Sequence, residues 1–177
     1  MKFKKFKMAN IPENRTYEYL TKWYYVAIYE MFNLDSFQID ALWIQKKLNK
    51  KLGLTEIEQA ISFLKKHHFV KQNPNGTWSQ TTTHLDCTEG IYKISLAELH
   101  KQMLDLAHEA IHSVKREERL IMGQTMAVNK ENFEQIKQII QQTIKLINEI
   151  NKNSTDKDNV YHVEIAAFPL LKSAEEK

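Results

Sequence analysis

Between Tyr17 and Trp78 the apolar positions fall into three helical stripes and then switch to a short alternating pair. Tyr17, Leu20, Tyr24, Ala27, Ile28 and Met31 lie on one helical face, which predicts a helix over Tyr17–Phe32. A second helix is expected from Asp40, a residue suited to cap it, through the run WIQKKLNKK. Leu42, Trp43, Ile44, Leu48 and Leu52 supply its apolar contacts. Gly53 interrupts the pattern. Thr55 restarts it as a cap, with Glu58 three residues on in the spacing of a capping box, and Ile57, Ala60, Ile61, Leu64 and His68 forming the inner face. FVKQN, the turn PNG and TWSQT then read as two short strands of a hairpin, with Trp78 closing the helical core. Three helices followed by a hairpin is the order of a winged helix, a helix-turn-helix variant.

Beyond this unit the pattern changes. Thr81–Ile94 is polar and reads as a linker, with IYKI at its end as a possible short strand. Ser95 caps a helix to Val114, with Glu98 at the box position and Leu96, Leu99, Met103, Leu106, Ala107 and Ala110 inward. Arg119–Val128 is apolar on both faces and reads as a buried strand. Asn129 caps a helix from Lys130 to about Asn151. Phe133, Ile136, Ile140, Thr143, Ile144, Ile147 and Ile150 point inward, and Ile139 and Leu146 widen the face. After a polar loop, VYHVEIAAF alternates as a last strand. Strand, helix, strand predicts a βαβ unit with a right-handed crossover. Two strands make a poor sheet, so either IYKI joins them or a second subunit does, and a homodimer through these strands is the expectation.

The fold class expected is α+β. A basic arm (1–16) precedes a winged-helix-like domain (17–83), a C-terminal α/β domain (84–170) made of a helix and the βαβ unit, and a tail (171–177). At 177 residues, 42% of them hydrophobic, the chain is long enough to bury a core. Four Gly and three Pro leave helix little interrupted. No apolar run reaches the ~20 residues that cross a bilayer. No apolar stretch follows the N-terminal lysines, as a secretory signal requires. With Cys87 as the only cysteine, a disulfide within the chain is excluded and a cytoplasmic location is expected.

The net charge of +3 is unevenly placed. Residues 1–51 carry ten Lys or Arg against five Asp or Glu; residues 52–90 carry three against four, and residues 91–177 twelve against thirteen. The positive excess therefore lies in the arm and the first helices. An anionic partner fits that bias, as does an ordinary solvated surface. In the arm, Lys2, Lys4, Lys5 and Lys7 flank Phe3 and Phe6; it can lie along phosphates or fray. Lys46, Lys47, Lys50 and Lys51 cluster at the end of the second helix, and Lys71 precedes the hairpin turn. On the third helix Thr55, Gln59, Ser62 and Lys66 lie opposite the apolar face. In a helix-turn-helix this helix enters the major groove, where Gln pairs with adenine and Lys with guanine or phosphate. Glu56 and Glu58 at its start repel phosphates and favour a solvated or protein-contacting face. The aromatic load of the first helix (Tyr17, Tyr19, Trp23, Tyr24, Tyr25, Tyr29, Phe32) can stack bases, although rings at helical spacing are more often core.

His108-Glu109-Ala110-Ile111-His112 matches H-E-x-x-H, in which two imidazoles one turn apart bind zinc and the glutamate is the base. Both histidines fall on the stripe opposite the apolar face, and SVKREE follows where an extended zinc motif needs Gly and a third His. The motif is therefore read as a chance match. No catalytic residue, metal ligand or cofactor is assigned.

KWYYVAIYEM (Lys22–Met31), ALWIQKKL (Ala41–Leu48), the NGTW hairpin, LHKQMLDLAHEAI (Leu99–Ile111), REERLIMGQTMAV (Arg116–Val128) and VYHVEIAAFPL (Val160–Leu170) together resemble a bacterial family of conserved hypothetical proteins, domain of unknown function 4423. The resemblance covers nearly the whole chain and implies no chemistry. Longer relatives look as if they carry an added N-terminal helix-turn-helix-like region and are spoken of as regulators, and here only the short basic arm stands at that end. The expected function is a non-enzymatic transcriptional regulator that binds double-stranded DNA. The alternative is a protein-interaction or dimerisation module with a degenerate winged helix.

Overall fold

The computed structural model describes residues 13–81 and 91–172. The lysines of the arm, Cys87, most of the Thr81–Ile94 linker and the SAEEK tail lie outside the described residues.

The chain is mostly helical, with one small antiparallel sheet. Its elements are α1 (Glu13–Leu20), α2 (Trp23–Met31), α3 (Ala41–Lys47), α4 (Leu54–Lys66), β1 (Val70–Gln72), β2 (Trp78–Gln80), α5 (Ile91–Ser113), a 3-10 turn at Arg116–Glu118, and α6 (Lys130–Asn153). Two compact units result. The first comprises Met1–Leu120 and Asp156–His162, and the second Ile121–Thr155 and Val163–Lys177.

The core belongs to the first unit. Ile28, Ile44, Ile57, Ala60 and Leu64 are fully buried, with Tyr19, Tyr25, Phe63, Phe69 and Val70 around them. Tyr19 stacks on Phe69 at 4.6 Å between centroids, and Tyr25 leans on Phe63 at 5.0 Å. Most of the aromatic excess of the first helix is thus interior, where offset and edge contacts between rings add to area burial.

Where one helix was expected over Tyr17–Phe32, there are two, broken at Thr21 and Lys22. The break is held from α5. Gln102 Nε2 donates to the Thr21 carbonyl (2.8 Å) and its Oε1 accepts from the Trp23 backbone N–H (3.1 Å). One amide thus satisfies a terminal carbonyl of α1 and a terminal donor of α2. Leu99 and Met103 of α5 enter the same core, and Leu96 and Leu106 pack against it.

Capping is partly as expected. Asp40 Oδ1 accepts from Trp43 N (2.7 Å), and Asn129 Oδ1 from Asn132 N (2.7 Å). For α4 the cap is Gly53 and not Thr55. The helix starts one residue before Thr55, and Glu56, not Glu58, reaches back to the Gly53 N–H at 2.9 Å. Ser95 is no cap either, because α5 starts at Ile91 and runs through it, leaving Ser95 buried. IYKI is therefore the first turn of a helix and not a strand.

The hairpin pairs Val70 with Gln80 and Gln72 with Trp78. Its tip closes through Gly76 N to Asn73 O (2.9 Å) and Asn73 N to Thr77 O (2.8 Å), with Gly76 at φ +83°. Pro74 and Gly76 occupy the positions a turn of this shape needs, since only Gly takes a positive φ without strain. Trp78 is half-buried against the core, as its position beside the turn suggested.

The second unit is different. Neither Arg119–Val128 nor Val160–Phe168 is a strand, and β1–β2 is the only sheet among the described residues. The expected βαβ unit is therefore absent. The residue types favour strands, but a strand needs another to receive its N–H and C=O groups, and the described chain brings none alongside. In α6, Phe133, Ile136, Ile140, Ile144 and Ile147 are half-buried; Ile139, Leu146 and Ile150 are exposed.

Candidate nucleic-acid interface

The side chains expected to meet DNA are all on the surface. Lys46 and Lys47 occupy the last turn of α3, where cations oppose the negative end of the helix dipole. Lys50 and Lys51 follow in the α3–α4 connection. Both pairs are exposed, as are Thr55, Gln59, Ser62 and Lys66 along α4 and Lys71 on β1. The α4 set follows from burial of the other face. Ile57, Ala60, Phe63 and Leu64 turn inward, so positions 55, 59, 62 and 66 turn outward on one stripe. Phe63, which fills the centre of that inner face, was not among the expected core positions. His68, which was, is exposed at a positive φ of 59° beyond the end of α4.

Two of the cations are engaged. Lys50 Nζ meets Glu109 Oε1 at 2.7 Å, an ion pair between two exposed groups. Lys47 lies over the Trp43 ring at 5.5 Å, and just inside the stripe Lys65 lies over the Trp78 ring at 4.6 Å. The Lys65 contact fixes the hairpin base to α4. The Lys50 contact brings α5 to the basic segment. No sequence spacing predicts either, because the partners are 13 and 59 residues apart.

Of the acidic residues at the start of α4, Glu56 is turned back onto the cap and Glu58 is free to face outward.

Glu109 is also the middle of the H-E-x-x-H match. His108 and His112 are exposed, and no group of three or more His, Cys, Asp or Glu able to hold a metal occurs among the described residues. No helix of the described residues is long and apolar enough to cross a membrane.

At the α1–α2 break, Lys22 Nζ donates to Tyr25 Oη (3.3 Å) and lies 3.7 Å from Glu18. Partial burial works to lower the Lys22 pKa, but the hydrogen bond and the surrounding phenol and carboxylate groups outweigh it and leave it raised. Burial raises the Tyr24 pKa, with Lys22 opposing.

Residues 3–170 match the model of a family described as "Domain of unknown function (DUF4423)". No curated protein and no solved structure matches the chain.

Proposed function

The chain belongs to the DUF4423 family, and from that premise we propose that it is a non-enzymatic, cytoplasmic regulator that binds double-stranded DNA through a winged-helix-like first unit. The observation that supports this reading is that every one of these side chains is exposed: Lys46, Lys47, Lys50 and Lys51, then Thr55, Gln59, Ser62 and Lys66 along α4, then Lys71 beside the hairpin. In this reading α4 enters the major groove. Gln59 and Ser62 face base edges, Lys66 a guanine or phosphate, and the α3–α4 lysines and Lys71 hold the backbone. Phosphate contacts supply most of the affinity. Lys50 exchanges its pairing with Glu109 for a phosphate at little cost, since an exposed pair of this kind contributes about 0–1 kcal/mol.

A second reading is favoured by Glu58 and by the Lys50–Glu109 pair. They place negative charge beside the basic segment and suit a protein surface better than a duplex.

The test is affinity for mixed-sequence duplex DNA as a function of salt. Binding that falls steeply with salt, and that weakens by at least about tenfold when Lys46, Lys47 and Lys51 are all changed to Glu, supports the DNA reading. No binding at low salt overturns it and leaves the protein-contact reading.

A further inference from the structure

Helix α5 reaches the basic segment with a carboxylate. On the DNA reading, on which this step rests, we infer that Glu109 competes with phosphate for Lys50, so that α5 damps the DNA affinity of the α3–α4 connection. The contact follows from how α5 is seated. Leu99 and Met103 are buried in the first core, and Leu106 packs against it. At 3.6 residues per turn, Gln102 lies on one edge of that stripe, and Glu109, seven residues on, lies about 20° from it. Gln102 is fixed by the Thr21 carbonyl and the Trp23 N–H at 2.8 and 3.1 Å. Two turns later the same edge meets the α3–α4 connection, and Glu109 Oε1 accepts from Lys50 Nζ at 2.7 Å. The carboxylate is thus placed by a helix whose apolar side is packed and whose polar edge is tied.

A carboxylate and a phosphate oxygen make the same demand on an ammonium, a short charge-assisted hydrogen bond. The two side chains are 42% and 49% exposed, so a duplex can reach Lys50 while Glu109 is on it. A phosphate that binds there brings a second negative charge beside Glu109, and like charges at that distance repel. Glu109 must turn away, and whatever the pair contributed is lost from DNA binding. For an exposed pair that loss is at most about fivefold in affinity. The pair therefore damps binding and does not block it. Asp105 carries the same charge one turn earlier on α5 and is also exposed, which separates the effect of the contact from that of net charge.

The test is the affinity of the full chain for a fluorescently labelled mixed-sequence duplex at low salt. The proteins are wild type, Glu109→Gln, Lys50→Gln, the double variant Lys50→Gln/Glu109→Gln, and Asp105→Asn. Glu109→Gln is expected to bind about two- to fivefold more tightly than wild type. That gain is expected to vanish when Lys50 is already Gln, and to be smaller for Asp105→Asn. Similar urea midpoints for wild type and Glu109→Gln verify that the fold is kept. Binding by wild type with no gain from Glu109→Gln would overturn the competition alone. So would an equal gain without Lys50 or from Asp105→Asn, since either assigns the effect to net charge. No binding by any of the five, Glu109→Gln included, would overturn the DNA reading and the competition with it.

Discussion

The two units of this chain are built from equally apolar sequence and end with opposite burial. In the first, α1–α5 and the hairpin close around Ile28, Ile44, Ile57 and Leu64, and these side chains lose all contact with water. In the second, a 24-residue helix with seven Ile and Leu side chains and two flanking apolar segments has no buried residue among those described. The difference lies in partners and not in hydrophobicity. In the first unit even the 23-residue α5 places Leu99 and Met103 in a shared core; α6, of similar length at 24 residues, is flanked by segments without regular structure and buries no side chain. An amphipathic face stabilises a fold only when something is brought against it.

The largest effect expected from this comparison is in the first core. Ile57→Ala or Leu64→Ala is expected to cost about 2–5 kcal/mol, by transfer and cavity terms together, read as a lower urea midpoint. The matching change Leu146→Ala is expected to stay within about 0.5 kcal/mol for the single chain, so a large loss there under conditions where the chain is monomeric would break the comparison. Next comes Gln102→Ala. It leaves the Thr21 carbonyl and Trp23 N–H without their shared partner and is expected to cost about 1–3 kcal/mol in the same measurement. Asn129→Ala removes the α6 cap and is expected to cost about 1 kcal/mol of helix, seen as lower far-ultraviolet ellipticity. Asp40→Ala removes the corresponding cap in the first unit, where the packed core keeps α3 formed, so the loss appears in the urea midpoint and little in ellipticity.

The smallest effect is on alkaline stability. The Lys22 and Tyr24 pKa values are both raised in the folded chain. A raised folded pKa contributes stability that is complete below the unfolded value and lost as pH rises through the folded one. Stability is therefore expected to fall slightly above pH 10, the ordinary range of both groups, and Lys22→Met with Tyr24→Phe is expected to flatten that fall.

Much of this was legible along the chain. The period of three to four residues placed α3, α4 and α6, Asn-Gly placed the hairpin tip, and Asp40 and Asn129 were readable as caps because a cap acts within three residues of itself. The outward stripe of α4 followed from its inward one. What escaped involved distance. The break at Thr21 is fixed by Gln102, some eighty residues on, so the aromatic run from Tyr17 to Phe32 looks continuous without it. Gly53 displaced Thr55 as the cap because Glu56 could close onto its N–H. Lys50 and Glu109 meet only because α5 returns to the first unit.

Neighbours a turn away were enough to set where helix was possible and where charge would collect; which side chains each helix hid was only partly set there, since Phe63 and Ser95 are buried and His68 and Ile150 are exposed. The tertiary structure alone decided which apolar faces found cover. Helical hydrogen bonds close within one segment, so α5 took in the IYKI run without outside help. Strand hydrogen bonds need a second segment, so Arg119–Val128 and Val160–Phe168 carry strand composition without a sheet.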